Sequence, residues 1–324
     1  LLYAFYPASA VFTMNAAPDV YVVPLYLIAM YFLFLCDEKR KCRSYTSTTY
    51  ALLFGTFCGL SASLKSFAII IIISYLIIAV IELLKKDNLI HKDIYIFLIC
   101  LSVIFCSYCA VKSITLKLTE KTFNISMDYN TATPHYFLIG LNTEGEGQIH
   151  VGSLSRSFYR FILEGGMSID EASQKTKELL REDWNNNPEK IAPLFVKKSI
   201  WAWQDDVIPA VYYIKYNADK SNALGVDYLK TILPSVAQIF YLFIIFTALI
   251  GTLYLLTNSG NGKLSLFCLV IFGYFCITMI SEAQSRYKYL IIPLVCMLSS
   301  FGIAYLSGIF IKIKKIGESM SKLI

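Results

Sequence analysis

Long apolar runs separated by short charged stretches organise the chain. Runs at 20–36, 94–114, 232–257, 264–281 and 289–311 are each long enough to cross the roughly 30 Å hydrocarbon core of a bilayer as a helix. Residues 50–84 form one further apolar stretch, interrupted at its middle by Lys65. As a single helix it would be roughly 52 Å long at about 1.5 Å per residue, too long for one crossing. Two short helices turning at Ser61–Ser66, with Lys65 at the turn, fit better. The pattern predicts an all-α polytopic membrane protein with seven crossings, preceded by the apolar tail of another at 1–14.

Composition narrows the class. Of 324 residues, 56% are hydrophobic and only 16% charged. A soluble domain carries about a quarter charged residues, so a water-facing fold could not hide this much apolar surface. A soluble enzyme, a disordered chain and a collagen-like chain are excluded. The 29 basic and 23 acidic residues give a net charge of +6. Residues 115–230 hold 13 basic and 15 acidic side chains, so that stretch is nearly neutral. The other 16 basic residues sit mostly in short loops, and no basic stripe with interleaved aromatics marks a nucleic-acid partner.

Loop charge sets the expected orientation. Loops 37–49, 85–93, 258–263 and 312–324 contain 4, 3, 1 and 4 basic residues. The opposite short segments contain only Lys65, Arg286 and Lys288. The positive-inside rule makes the first set, and with it the C-terminus, cytoplasmic. Residues 1–19, Lys65, 115–230 and 282–288 then share the outer face of a cell membrane. Three parts follow: a membrane part at 1–114 with the end of one helix and four crossings, an extracytoplasmic segment at 115–230, and a membrane part at 231–324 with three crossings.

The extracytoplasmic segment is too long for a linker and too apolar for disorder. Ser168-Ile-Asp-Glu171 reads as a capping box opening a helix through about Trp184. Asn187-Pro188 should cap a second helix carrying Ile191, Leu194, Phe195, Trp201 and Trp203. Lys197, Lys198 and the tryptophans suit a helix lying on the membrane surface, and an ordinary small-domain helix fits equally well. Asn124-Ile-Ser126 matches a short glycosylation sequon. Seven of the nine cysteines lie inside apolar runs, where a thiolate is costly, and read as small apolar filler, Cys106-x-x-Cys109 included. The opening Leu-Leu-Tyr lacks Met and a basic region, which predicts a chain entered near the end of an earlier helix rather than a signal peptide.

No phosphate loop, nucleophile elbow or HExxH pattern occurs, and His91, His135 and His150 are too scattered for a metal site. The informative residues are ionisable groups at the outer boundary, where a charge needs a partner or a purpose. The run Ser281 to Tyr289, which leads into Pro293 and the last helix, is the strongest candidate. Arg286 offers a planar fork suited to phosphate, Tyr287 a hydroxyl donor, and Glu282 could orient the guanidinium four residues on if the turn is helical. A snorkelling arginine among belt tyrosines fits the same residues. Asp19, at the start of a helix, suits the positive end of the helix dipole. Asp205-Asp206 reads as a solvated helix end.

The string Glu282-x-Gln284-Ser-Arg286-Tyr-Lys-Tyr289, followed by Pro293 and a final apolar helix, resembles the C-terminal motif of a membrane glycosyltransferase family. This is the GT-C group related to protein O-mannosyltransferases and aminoarabinose transferases, which use a polyprenyl-phosphate sugar donor. Phe5-Tyr-Pro7 through Asp19 resembles the outer segment before an early helix, and Gly55-x-x-x-Gly59-Leu60 through Lys65 resembles a short helical hairpin with a basic residue at its outer turn. Pro134-His-Tyr-Phe-Leu-Ile-Gly-Leu-Asn142 resembles the start of the extracytoplasmic region in Gram-positive members.

The resemblance implies a GT-C helix bundle with a mainly helical extracytoplasmic insertion and a transfer that inverts the anomeric carbon. The partners would be the bilayer, the polyprenyl-phosphate-linked sugar and a glycan, lipid or protein acceptor, with no cofactor and no metal. Arg286 and Lys65, with Tyr287 and Glu282, would hold the carrier phosphate. Asp19 matches a second acidic position, while the family's principal carboxylate belongs to a loop expected before this chain begins. His135 and Asn142 could face the acceptor or serve as turn and packing residues.

Two other classes fit less well. A polysaccharide polymerase or ligase would call for arginines gathered in a large outer loop, and Arg156, Arg160 and Arg181 form no clear cluster. A lipid-linked sugar transporter would favour repeated halves and ionisable groups near the midplane, whereas here they hug the helix ends.

Overall fold

A computed structural model describes residues 2–7, 18–85, 91–124, 133–144, 157–204, 226–257, 262–282 and 285–321. Those residues form helices and turns, with no strand among them. The helices are α1 (Pro18–Lys41), α2 (Thr46–Leu64), α3 (Ala68–Leu84), α4 (His91–Phe123), α5 (Thr133–Leu141), α6 (Ser157–Leu163), α7 (Ile169–Asn186), α8 (Pro188–Trp203), α9 (Val226–Thr257), α10 (Gly262–Ile280) and α11 (Ile292–Ser321). A 3₁₀ helix over Ser285–Leu290 precedes α11. Contacts divide the chain into two compact units. One holds Leu1–Tyr108, Val207–Ile271 and Tyr289–Ile324, and the other holds Cys109–Asp206 and Phe272–Lys288.

Among the described residues, four helical stretches are long and apolar enough to cross a membrane: Asp19–Lys41, Asp93–Phe123, Ile232–Thr257 and Ile292–Ile309. Ala68–Leu84 and Ser265–Ile280 are apolar but shorter. The expected hairpin at 50–84 is present, with α2 ending at Leu64, α3 beginning at Ala68 and Lys65 between them. Its first arm does not reach the apolarity of the other spans, because Thr46, Ser47, Thr48 and Thr49 open it and Ser61 and Ser63 lie near its close. Along α4, Leu98, Phe105, Ile114 and Leu118 are exposed, and along α9, Ile239, Leu242, Phe246 and Leu253 are too. Exposed apolar stripes on helices of this length are what lipid covers.

Within the first unit, α1 packs most extensively on α2 and α9 on α11. Small residues make these approaches close. A Cβ on Gly302 would strike the Thr247 carbonyl oxygen, one on Gly251 the Leu298 carbonyl oxygen, and one on Gly55 the Ser107 hydroxyl. Thr247 and Ser299 share a buried hydroxyl–hydroxyl hydrogen bond of 2.6 Å across the α9–α11 seam. Lipid tails are as apolar as the helices, so such packing and bonding, rather than water exclusion, hold membrane helices together. At one end of this unit Asp37, Arg40, Lys41 and Glu82 form a network with contacts of 2.6–3.2 Å, tying α1 to α3. Beside it, Arg43 reaches Asp93 at 2.8 Å.

In the second unit the predicted capping box is formed. Glu171 donates its N–H to the Ser168 Oγ, and the Glu171 carboxylate accepts from the Ser168 N–H. The helix it opens, α7, runs to Asn186 and packs on α5 and α6. Asn187 is the N-cap residue of α8 as expected, but its side chain makes no capping bond. Pro188 occupies the first turn, where its missing N–H costs nothing, and the Asn187 amide turns back to Asp183 at 3.1 Å.

Gly302→Val should cost about 1–3 kcal/mol, because the added carbons meet backbone rather than a side chain that can yield. A lowered thermal unfolding midpoint in detergent, set against Gly308→Val, where a Cβ would meet nothing within 4 Å, checks this.

Candidate functional site

Asp19 stands in the first turn of α1 and Lys65 in the break between α2 and α3. Lys65 has an extended backbone, its N–H still bonded to the Ser61 carbonyl, and this turns its side chain out of the hairpin axis. The Lys65 ammonium donates to the Asp19 carboxylate, which is nearly buried. Two residues that the sequence separates by two helices and a loop thus form one ion pair. The Lys65 side chain keeps 30% of its exposure and that of Asp19 only 9%, so the carboxylate is the costlier charge to leave without its partner.

Aromatic side chains frame the pair. Tyr26 lies two turns along α1 from Asp19 and donates to the Leu290 carbonyl at 2.5 Å. Its ring packs 5.0 Å from Phe67, two residues beyond Lys65. Tyr289 is close enough to Asp19 to feel its charge, and its hydroxyl takes a 2.9 Å hydrogen bond from Tyr3. Carboxylate, ammonium and phenols therefore gather at one end of the first unit. Of these, sequence reasoning singled out Asp19 and Lys65. Tyr3 and Tyr26 gave no signal beyond being aromatic near a boundary, and Tyr289 stood inside the quoted motif without a role.

The remaining predicted residues belong to the second unit. Glu282 is almost fully buried and accepts from the Tyr287 hydroxyl at 2.7 Å, while the Tyr287 carbonyl accepts from the Tyr274 hydroxyl at 2.5 Å. Tyr287, expected to donate to a phosphate, thus donates to Glu282. Arg286 lies within the 3₁₀ helix and His135 in α5, and the side chains of both fall outside the described residues, as do Asp205, Asp206 and Arg156. Asn142 is fully buried; its Oδ1 accepts from the Glu144 N–H at 2.9 Å and its Nδ2 meets no partner among the described residues.

A residue the sequence marked only as a surface cation organises this unit. Lys198 is completely buried, and its ammonium donates to the carbonyls of Gly140 at 2.6 Å, Ser281 at 2.7 Å and Met279. Those carbonyls close two helices, α5 and α10, whose C-terminal ends favour a cation. The helices meet so tightly that a Cβ on Gly140 would collide with the Ser281 backbone. Asp183 adds a second clamp, accepting from the Thr143 N–H at 2.9 Å and the Thr143 hydroxyl at 2.8 Å. Trp184 adds a third, through its indole N–H to the Leu141 carbonyl at 2.7 Å. The usable signal was register: Leu194, Lys198 and Ala202 fall four residues apart on one face of α8.

Helical content, apolar spans and boundary charges together define an all-α polytopic integral membrane protein. Residues 2–151 match the model of a family described as "Conserved hypothetical integral membrane protein". No curated protein and no solved structure matches the chain.

Lys198→Met should cost about 1–3 kcal/mol by stranding buried carbonyls, read as a lower unfolding midpoint in detergent. Burial alone would draw the Lys198 pKa down from 10.5 to about 7, and the three carbonyls that the ammonium faces at two helix ends oppose that shift.

Proposed function

We propose that the protein is a membrane glycosyltransferase, moving a sugar from a polyprenyl-phosphate donor to an extracytoplasmic acceptor with inversion. The observation that carries the reading is the Asp19–Lys65 pair, a carboxylate and an ammonium held together at the end of a membrane hairpin with Tyr289 near Asp19. The likeness of the 282–289 string to the C-terminal motif of the GT-C enzymes adds the chemistry.

In this reading the donor's lipid tail lies in the bilayer and its phosphate at the outer boundary. The phosphate competes with Asp19 for the Lys65 ammonium. As Lys65 turns to the phosphate it unmasks Asp19, the second acidic group of the site in this reading, and a carboxylate accepts a proton from the acceptor hydroxyl. That oxygen attacks the anomeric carbon, and the bond to the phosphate oxygen breaks with inversion. Polyprenyl phosphate departs with the electron pair, and basic side chains stabilise its growing charge, a task the resemblance gives to Lys65 and to Arg286. Tyr287 and Glu282, joined by their hydrogen bond, would hold the 3₁₀ turn that carries Arg286.

The test uses membrane vesicles containing the intact gene product and a labelled polyprenyl-phosphate sugar. Release of polyprenyl phosphate should fall about 100-fold or more in Lys65→Met and in Arg286→Ala, with each variant still inserted in the membrane. Labelled lipid crossing the bilayer intact, with no release, would overturn the transferase in favour of a transporter.

A further inference from the structure

Consecutive helices of the second unit turn different faces outward. α7 buries Ala172, Thr176 and Asp183, and its open side carries Glu171, Lys175, Glu178 and Glu182, a surface made for water. α8 buries Leu194, Lys198 and Ala202 along one line. Along the opposite line it exposes Pro193, Val196 and Ile200, at i, i+3 and i+7, with the charged Glu189 and Lys197 among them and Trp201 beyond Lys197 at the edge. Val196 is 61% exposed and Ile200 49%. Apolar side chains interleaved with charged ones make a mixed face, of the kind that suits the layer between hydrocarbon and water.

Lys198 shows where the second face sits. Its ammonium is bonded to the Met279 and Ser281 carbonyls, at the end of apolar α10. The exposed apolar side chains of α10 continue through Phe272 and Ile277 to Ile280, so the end of that helix marks where the hydrocarbon stops. The Trp203 ring lies 6.1 Å from Phe275, holding α8 against the last turns of α10. Val196 and Ile200 are two residues from Lys198 and Trp201 is three, which is about 3–5 Å along the helix axis. The layer between hydrocarbon and water is about 5–8 Å thick on each side of a bilayer. The stripe lies across α8 from Lys198, about 10 Å away through the helix, so it falls within that layer where α8 lies beside, rather than above, the end of α10.

We infer that α8 is an interfacial helix, whose cover is the lipid bilayer itself. Pro193, Val196, Ile200 and Trp201 lie in the boundary between headgroups and acyl chains, and Lys198 tethers the helix there through the backbone of α10. Trp201 holds the position that an amphipathic indole favours at such a boundary. The inference rests on the membrane character of the chain and is independent of the transferase reading.

The test uses the intact protein in lipid nanodiscs. The chain has three tryptophans, namely Trp184, Trp201 and Trp203, so the difference in emission between wild type and Trp201→Phe isolates Trp201. The Trp184→Phe/Trp203→Phe variant isolates it independently. Nanodiscs are made with lipids brominated either on the upper carbons of the acyl chains or near their ends, and aqueous iodide is titrated separately. The Trp201 emission should be lost to the upper bromines, less to the deep ones and little to iodide. Loss to iodide alone would place the face in water, and indifference to all three quenchers would mean that another protein surface covers it. Stronger loss to the deep bromines would place it in the hydrocarbon. Each of these three results overturns the inference.

Discussion

Backbone amides and carbonyls cannot be left bare where water is absent, and that constraint shapes this molecule most at its helix ends. Inside a helix the demand is met residue by residue, which is why membrane spans are helical. At an end, several carbonyls lose their partners. Here long side chains from other elements supply them. Lys198 serves α5 and α10, Trp184 serves the end of α5, Tyr26 serves Leu290 and Tyr274 serves Tyr287. The same bonds that satisfy the backbone therefore fix how helices meet within each unit.

Charge follows the same economy. Asp19 with Lys65 and the network of Asp37, Arg40, Lys41 and Glu82 lie at ends of membrane helices, and each is locally balanced. The network has two acids and two bases in mutual contact and ties α1 to α3. The Asp19–Lys65 pair joins the first turn of α1 to the break between α2 and α3.

Much of the fold was legible because its signals are local. A charge in the middle of an apolar run marked the hairpin turn at Lys65, and the spacing of Ser168 and Glu171 marked a helix start. Apolarity was a poorer guide to helix length. α4 runs to Phe123, beyond the apolar run at 94–114, because Lys117, Glu120 and Lys121 are good helix formers that leave the hydrocarbon without leaving the helix. Partnerships were not legible. Asp19 finds Lys65 across 46 positions and Lys198 finds Gly140 across 58, and nothing in either neighbourhood names the other. A lysine beside tryptophans reads as a headgroup cation until packing shows it turned inward.

The modest apolarity of α2 bears on how the protein reaches its membrane. A segment opening with Thr46, Ser47, Thr48 and Thr49 gains less on leaving water for lipid than α1, α3 or α4. Its close partner α1 precedes it in the chain, and strongly apolar α3 follows. During synthesis α2 would be escorted, released into the bilayer against α1 and carried with α3 as the second arm of one hairpin. Lys65 stands at the tip of that hairpin, and Asp19, made before it, is the partner it meets.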